Sequence, residues 1–77
     1  MMPTVLRIDG FRFFFFSDEH LPLHIHIEKN DGYMRVELET LRITDNYKFS
    51  QKDIKKILLI INSNQEKLIG AWNEYFN

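Results

Sequence analysis

The sequence predicts an α+β fold: an antiparallel sheet of four to five strands, built from two hairpins, with one long C-terminal helix packed on one face. Three observations carry this. Asp9-Gly10 separates two strand-like apolar runs, Asn30-Asp31-Gly32 separates two more, and beyond Ser50 the apolar residues recur at helical spacing. The 77 residues read as a single domain, with hairpins and a short strand over 1–45 and helix over 50–76. A chain this short buries only about 60% of its unfolded surface, so its core is marginal and self-association would help.

The first hairpin joins Thr4–Ile8 to Phe11–Ser17. Asp-Gly between apolar runs is a strong two-residue turn signal, because both turn positions need positive φ. That turn sets Ile8 opposite Phe11, Arg7 opposite Arg12 and Leu6 opposite Phe13. The second hairpin joins His24–Lys29 to Tyr33–Leu38. A two- or four-residue loop is expected to set Glu28 across from Arg35 and His26 across from Glu37. A three-residue loop would put apolar residues opposite charged ones, so parity argues against it. Leu41–Thr44 reads as a short fifth strand and Asp45-Asn46 as a turn.

Ser50 is a good N-cap, and Asp53 places negative charge in the first helical turn. Ile54, Ile57, Leu58, Ile61, Leu68, Trp72, Tyr75 and Phe76 then hold one face, which predicts a continuous helix from Gln51 to Tyr75. Asn62-Ser63-Asn64 is the place where it would break, with Asn64 as the new cap.

Strand parity divides the sheet. The helix-covered face takes Leu6, Ile8, Phe11, Phe13, Phe15, Ile25, Ile27, Met34, Val36 and Leu38. The other takes Val5, Arg7, Arg12, Phe14, Phe16, His24, His26, Glu28, Tyr33, Arg35 and Glu37. One helix cannot cover both sides. Phe14 and Phe16 therefore meet a partner, meet a second copy, or form the apolar floor of a site. Leu59 and Ile60, off the helix seam, add a smaller apolar surface.

Composition removes several chemistries. With no cysteine there is no disulfide, no thiolate zinc site and no cysteine nucleophile. Neither a signal-type apolar run nor a run near the ~20 apolar residues of a membrane span is visible, which predicts a cytoplasmic protein without membrane contact. The net charge of −1 hides a basic cluster at Lys48, Lys52, Lys55 and Lys56. Such a cluster attracts a phosphate backbone, or is simply a solvated helix face.

All three histidines lie between His20 and His26. On a strand, His24 and His26 share a face while Ile25 and Ile27 point into the core. Either they are solvated residues of a half-buried strand, or they bind and react. With His20 or Glu37 as third ligand and water as fourth, they would hold a divalent metal. Without a metal, His24, His26 and Glu37 would be the catalytic set, moving the proton of an RNA 2′-hydroxyl. Arg7, Arg12 or Arg35 would bind phosphate, and Phe14, Phe16 and Tyr33 would stack bases. The plainer role for the arginines is pairing with Glu28, Glu37 or Asp18.

Three stretches carry a resemblance. These are Met2-Pro3-Thr4-Val5-Leu6-Arg7-Ile8-Asp9-Gly10-Phe11-Arg12-Phe13-Phe14-Phe15-Phe16-Ser17, then Asp18-Glu19-His20-Leu21-Pro22-Leu23-His24-Ile25-His26-Ile27, then Ala71-Trp72-Asn73-Glu74-Tyr75-Phe76. Together they resemble the small bacterial proteins of domain-of-unknown-function family 4160. Glu19, His20, Pro22, His24 and His26 fall on its motif, while Leu23 stands where a second proline is common. The resemblance implies a two-gene bacterial module with a cognate small protein encoded alongside, this chain being the toxin of a toxin–antitoxin pair. The expected function is thus a toxin acting through its histidine face on RNA or another nucleic acid, by metal-dependent or acid–base chemistry. The competing class is a non-enzymatic protein-interaction module or homodimer.

Overall fold

A computed structural model describes residues 4–17 and 19–76. The elements run β1 (Thr4–Ile8), β2 (Phe11–Phe14), β3 (His24–Lys29), β4 (Gly32–Glu37), β5 (Ile43–Tyr47), α1 (Gln51–Ser63) and α2 (Gln65–Phe76). The five strands form one antiparallel sheet in the order β1-β2-β3-β4-β5.

Asp9 (φ 54°) and Gly10 (φ 84°) both take positive φ, and the β1–β2 register is Ile8 to Phe11, Arg7 to Arg12 and Leu6 to Phe13. A bulge between Thr4 and Leu6 shifts the pairing at Val5. Parity is lost there, and Val5 packs against the core instead of facing away from it. The second hairpin closes on Lys29 and Gly32, with Asn30 at φ 54°. Its register differs from the expected one by two residues: His26 lies across from Arg35, and His24 across from Glu37. The side-chain faces survive, because a two-residue shift preserves parity.

The fifth strand lies further along than Leu41–Thr44. Leu41 takes φ 61° in the turn, and the strand continues through Asp45 and Asn46, which pair with Arg35 and Met34. The chain turns at Lys48 (φ 65°) and drops Phe49 into the core. Phe49 meets Phe11 edge-on at 5.8 Å and lies directly over Gly32. A Cβ at position 32 would overlap the Phe49 ring, so only glycine fits there without a shift.

The core holds Phe11, Phe13, Phe15, Ile25, Ile27, Met34, Val36, Leu38, Phe49, Ile57, Ile61, Leu68 and Trp72. Leu6, expected at its heart, is only partly buried and packs at its margin. The Ser50 hydroxyl accepts from the Asp53 amide (3.2 Å), capping α1. The long helix is two helices. At Asn64 (φ −122°, ψ 18°) the backbone leaves helical geometry while its N–H is shared between the Ile60 and Ile61 carbonyls. The Asn64 side chain also donates to Ile60 O (2.8 Å), and Gln65 donates to Leu38 O (2.6 Å). These amide side chains compete for backbone carbonyls and stabilise the break. Tyr75, placed on the apolar seam by spacing, is 41% exposed.

Candidate functional site

β4 alternates buried and half-buried residues, as a sheet covered on one face should. The first four residues of β3, His24 to Ile27, are buried on both faces. The cover on the second face comes from the protein's own residues, notably Phe14, Phe16 and Glu19. His24 and His26 are only 3% and 4% exposed, although parity alone left them facing solvent.

Glu19 organises the cluster. Its Oε1 lies 2.9 Å from His24 Nε2, and its Oε2 lies 2.6 Å from His26 Nε2. The same Oε2 accepts from the Phe16 backbone N–H (3.2 Å). The other ring nitrogens are also held. His24 Nδ1–H donates to the Pro22 carbonyl (2.8 Å), which follows a cis Leu21–Pro22 peptide. Tyr33 O–H meets His26 Nδ1 at 2.7 Å. A carbonyl can only accept, whereas a phenol can donate, which assigns the hydrogens.

Aromatic rings enclose the pair. Phe14 stacks on His26 (5.5 Å, 29°), Phe16 meets it edge-on (4.3 Å), and Trp72 leans on His24 (5.2 Å). Phe14 is buried, while Phe16 is 38% exposed. Within the chain both rings pack against His26.

Burial alone would raise the Glu19 carboxyl. The Phe16 amide, the His24 hydrogen bond and the charges of His26 and His24 outweigh it and hold the group below its ordinary value. Burial pushes His26 down, the charge and hydrogen bond of Glu19 oppose it, and the charges of His24 and Arg35 add to the lowering, so the group is held below its ordinary value. A neutral His26 satisfies both its contacts, donating from Nε2 to Glu19 and accepting at Nδ1. Burial raises the Tyr33 phenol, with Asp45 and Glu19 adding and Arg35 opposing.

The remaining expected residues are placed as follows. His20 is exposed and stands apart from the group formed by Glu19, His24 and His26. Glu37 is across from His24 along the backbone, but its carboxylate accepts from Thr40 (3.2 Å) and is not in that group. Arg12 pairs with Glu28 (2.7 Å) and lies over the Phe14 ring (4.3 Å), so it borders the site. Arg35 donates to Thr44 (2.7 Å), and Arg7 is exposed. The groove of about 270 Å³ lined by Thr4, Val5, Phe15, Ala71, Glu74 and Tyr75 includes neither histidine.

Parity reasoning missed Glu19 as a site residue because it belongs to the segment between strands, where no face is assigned. The available signal was its place in the Glu19-His20-Leu21-Pro22-Leu23-His24-Ile25-His26 box. Tyr33 was placed on the right face, and its reach to His26 follows from diagonal contact across the β3–β4 pair.

No curated protein and no solved structure matches this chain. A family model described as a domain of unknown function, DUF4160, matches residues 10–73, a span that holds the whole Glu19–His24–His26 cluster and the turn of the second hairpin. With most of its length matched, the chain belongs to the DUF4160 family.

Proposed function

We propose that the protein is the toxin-like component of a two-gene bacterial module and that it acts on RNA or another nucleic acid through the Glu19–His24–His26 centre. The observation supporting this is one carboxylate held between two imidazole Nε2 atoms, at 2.9 and 2.6 Å. Such a set moves protons near neutral pH, or holds an ion that activates water. Arg12 and Arg35 border it with positive charge for a phosphate. Phe16, the exposed ring against His26, is the contact that a nucleobase would replace by stacking. The cognate small protein would cover the same face, and the site of action would be the cytoplasm.

The test is growth after induced expression of the wild type, Glu19→Gln, His24→Ala/His26→Ala and Lys52→Ala/Lys55→Ala/Lys56→Ala, at matched protein levels. Growth inhibition that disappears in the Glu19 and histidine variants but persists in the lysine variant supports the reading. Inhibition retained by the histidine variant and lost by the lysine variant would leave an electrostatic nucleic-acid binder, whose affinity falls with salt.

A second reading is favoured by the burial of His24 and His26, at 3% and 4% exposure. In it the cluster is a clasp that holds the segment before β3 against the sheet, and the module binds a partner or a second copy without chemistry. Sedimentation velocity at micromolar concentration separates these forms. A dimer, or a complex with the neighbouring gene product, combined with no growth effect, favours the binding module.

A further inference from the structure

We propose that Glu19, His24 and His26 form a site for one divalent transition-metal ion of the zinc type, with one position left for water. The inference rests on the centre invoked above but not on its acting as a toxin. Each residue offers one ligand atom, and those atoms lie within 4.8 Å of one another.

The orientation of the rings is the second argument. Both Nε2 atoms converge on one carboxylate, while both Nδ1 atoms are tied from behind, to the Pro22 carbonyl and the Tyr33 hydroxyl. Metal-bound histidines are held by a second ring N–H that donates to a carbonyl, carboxylate or similar group; His24 Nδ1 already does so, and His26 does so once its hydrogen sits on Nδ1, facing the Tyr33 oxygen.

The hydrogen inventory gives a third. Pro22 O can only accept, so His24 Nδ1 carries a hydrogen. Its Nε2 then faces the Glu19 carboxylate, another acceptor, at 2.9 Å. That contact is satisfied by a second ring hydrogen or by a cation shared between nitrogen and oxygen. In the metal-bound form the ion takes the place of the Nε2 hydrogen of His24, which leaves to solvent as a proton, while His26 carries its single hydrogen on Nδ1 instead of Nε2 and donates it to the Tyr33 hydroxyl oxygen.

The fit requires adjustment at the side chains alone. Donors around a tetrahedral ion, with bonds of about 2.0–2.2 Å, sit roughly 3.3 Å apart. The two carboxylate oxygens, 2.9 Å from His24 Nε2 and 2.6 Å from His26 Nε2, must therefore draw back by about 0.4–0.7 Å, while the ligand atoms that stand furthest apart, within 4.8 Å, must draw together. Glu19 lies outside the strands and can yield while β3 stays in place. Two imidazoles and one carboxylate suit zinc and its neighbours, whereas Mg²⁺ and Ca²⁺ prefer all-oxygen sets. The enclosing Phe14, Phe16 and Trp72 rings lower the local dielectric, which strengthens charge–ligand attraction.

Calorimetric titration of chelator-treated protein with Zn²⁺, in the presence of a weak competing chelator, tests the site. One ion per chain is expected, with uptake abolished in His24→Ala/His26→Ala and weakened at least tenfold in Glu19→Gln. Tyr33→Phe should weaken it by roughly 10–100-fold, and His20→Ala should leave it unchanged. Zn²⁺ should shift the ring resonances of His24 and His26 and spare those of His20. This reading of the wild type decides the matter even if the double variant fails to fold. No uptake by the wild type, or uptake that follows His20, overturns the proposal. Zinc binding without growth inhibition would overturn the toxin reading alone. Histidine-dependent inhibition without zinc binding would overturn the metal site alone.

Discussion

Removing the Glu19 carboxylate should cost more stability than any other single charge deletion around the sheet. Glu19→Ala takes away the partner of both His24 Nε2 and His26 Nε2, as well as the acceptor for the Phe16 amide. Hydrogen bonds to charged groups are worth about 1.5–3 kcal/mol each, and a buried donor left unpaired loses its full solvation. The side chain of Glu19 is 9% exposed, so some water can enter the vacated space and recover part of this. A net loss of about 2–4 kcal/mol follows, well above the ~1 kcal/mol ceiling of a surface pair. For a domain of this size 1 kcal/mol moves Tm by about 4–8 °C, so the fall should be roughly 8–32 °C. The assay is thermal unfolding by circular dichroism in the presence of chelator, with Glu37→Ala as the control. Glu37 makes a single 3.2 Å bond to Thr40 at the surface and should shift Tm by only a few degrees. Equal, small shifts for both variants would refute the placement of Glu19 as the carboxylate that serves the buried imidazoles.

Three further outcomes follow from named contacts. Gly32→Ala drives its Cβ into the Phe49 ring and should cost about 1–3 kcal/mol by overpacking, measured by urea unfolding; Phe49→Ala should make the same change far less costly. Phe14→Ala, at a ring 2% exposed, should cost about 3–5 kcal/mol, while Phe16→Ala, at 38%, should cost no more than about 1 kcal/mol; equal losses would show that the second face is not covered as described. Both lowered pKa values make acid destabilising. His26 resists protonation in the folded state, so its contribution is complete above the ordinary 6.5 and declines as pH falls towards the folded value. Glu19 contributes fully above its ordinary 4.5 and loses that contribution as pH falls through its lower folded value. Tm of the chelator-treated protein should therefore drop below pH 6.5 and again below 4.5, whereas a flat profile from pH 7 to 5 would contradict the His26 assignment.

The sheet was legible wherever residues obey period two. Asp9-Gly10 fixed the first register, and alternation put Ile25, Ile27, Met34, Val36 and Leu38 in the core with His24 and His26 opposite. Reading failed where the period stops. Val5 lies at a bulge, Asp45 and Asn46 are strand residues of turn-forming types, and Phe49 enters the core from a loop. Asn64 breaks a helix whose apolar spacing continues across the break, because capping by side-chain amides leaves the seam intact. Glu19 escaped for the same reason. Its partners are three-dimensional neighbours of a segment with no repeat, while Glu37 was favoured because a hairpin register could be counted.

The most direct test of the central claim, that Glu19 joins His24 and His26 through their Nε2 atoms, is the ring ¹⁵N and ¹H spectrum of the metal-free protein. The structure predicts a hydrogen on Nδ1 of His24, an accepting Nδ1 and a hydrogen on Nε2 for His26, and changes in both rings but not His20 on Glu19→Gln. An unprotonated His24 Nδ1, or rings that ignore the loss of the Glu19 carboxylate, would contradict it.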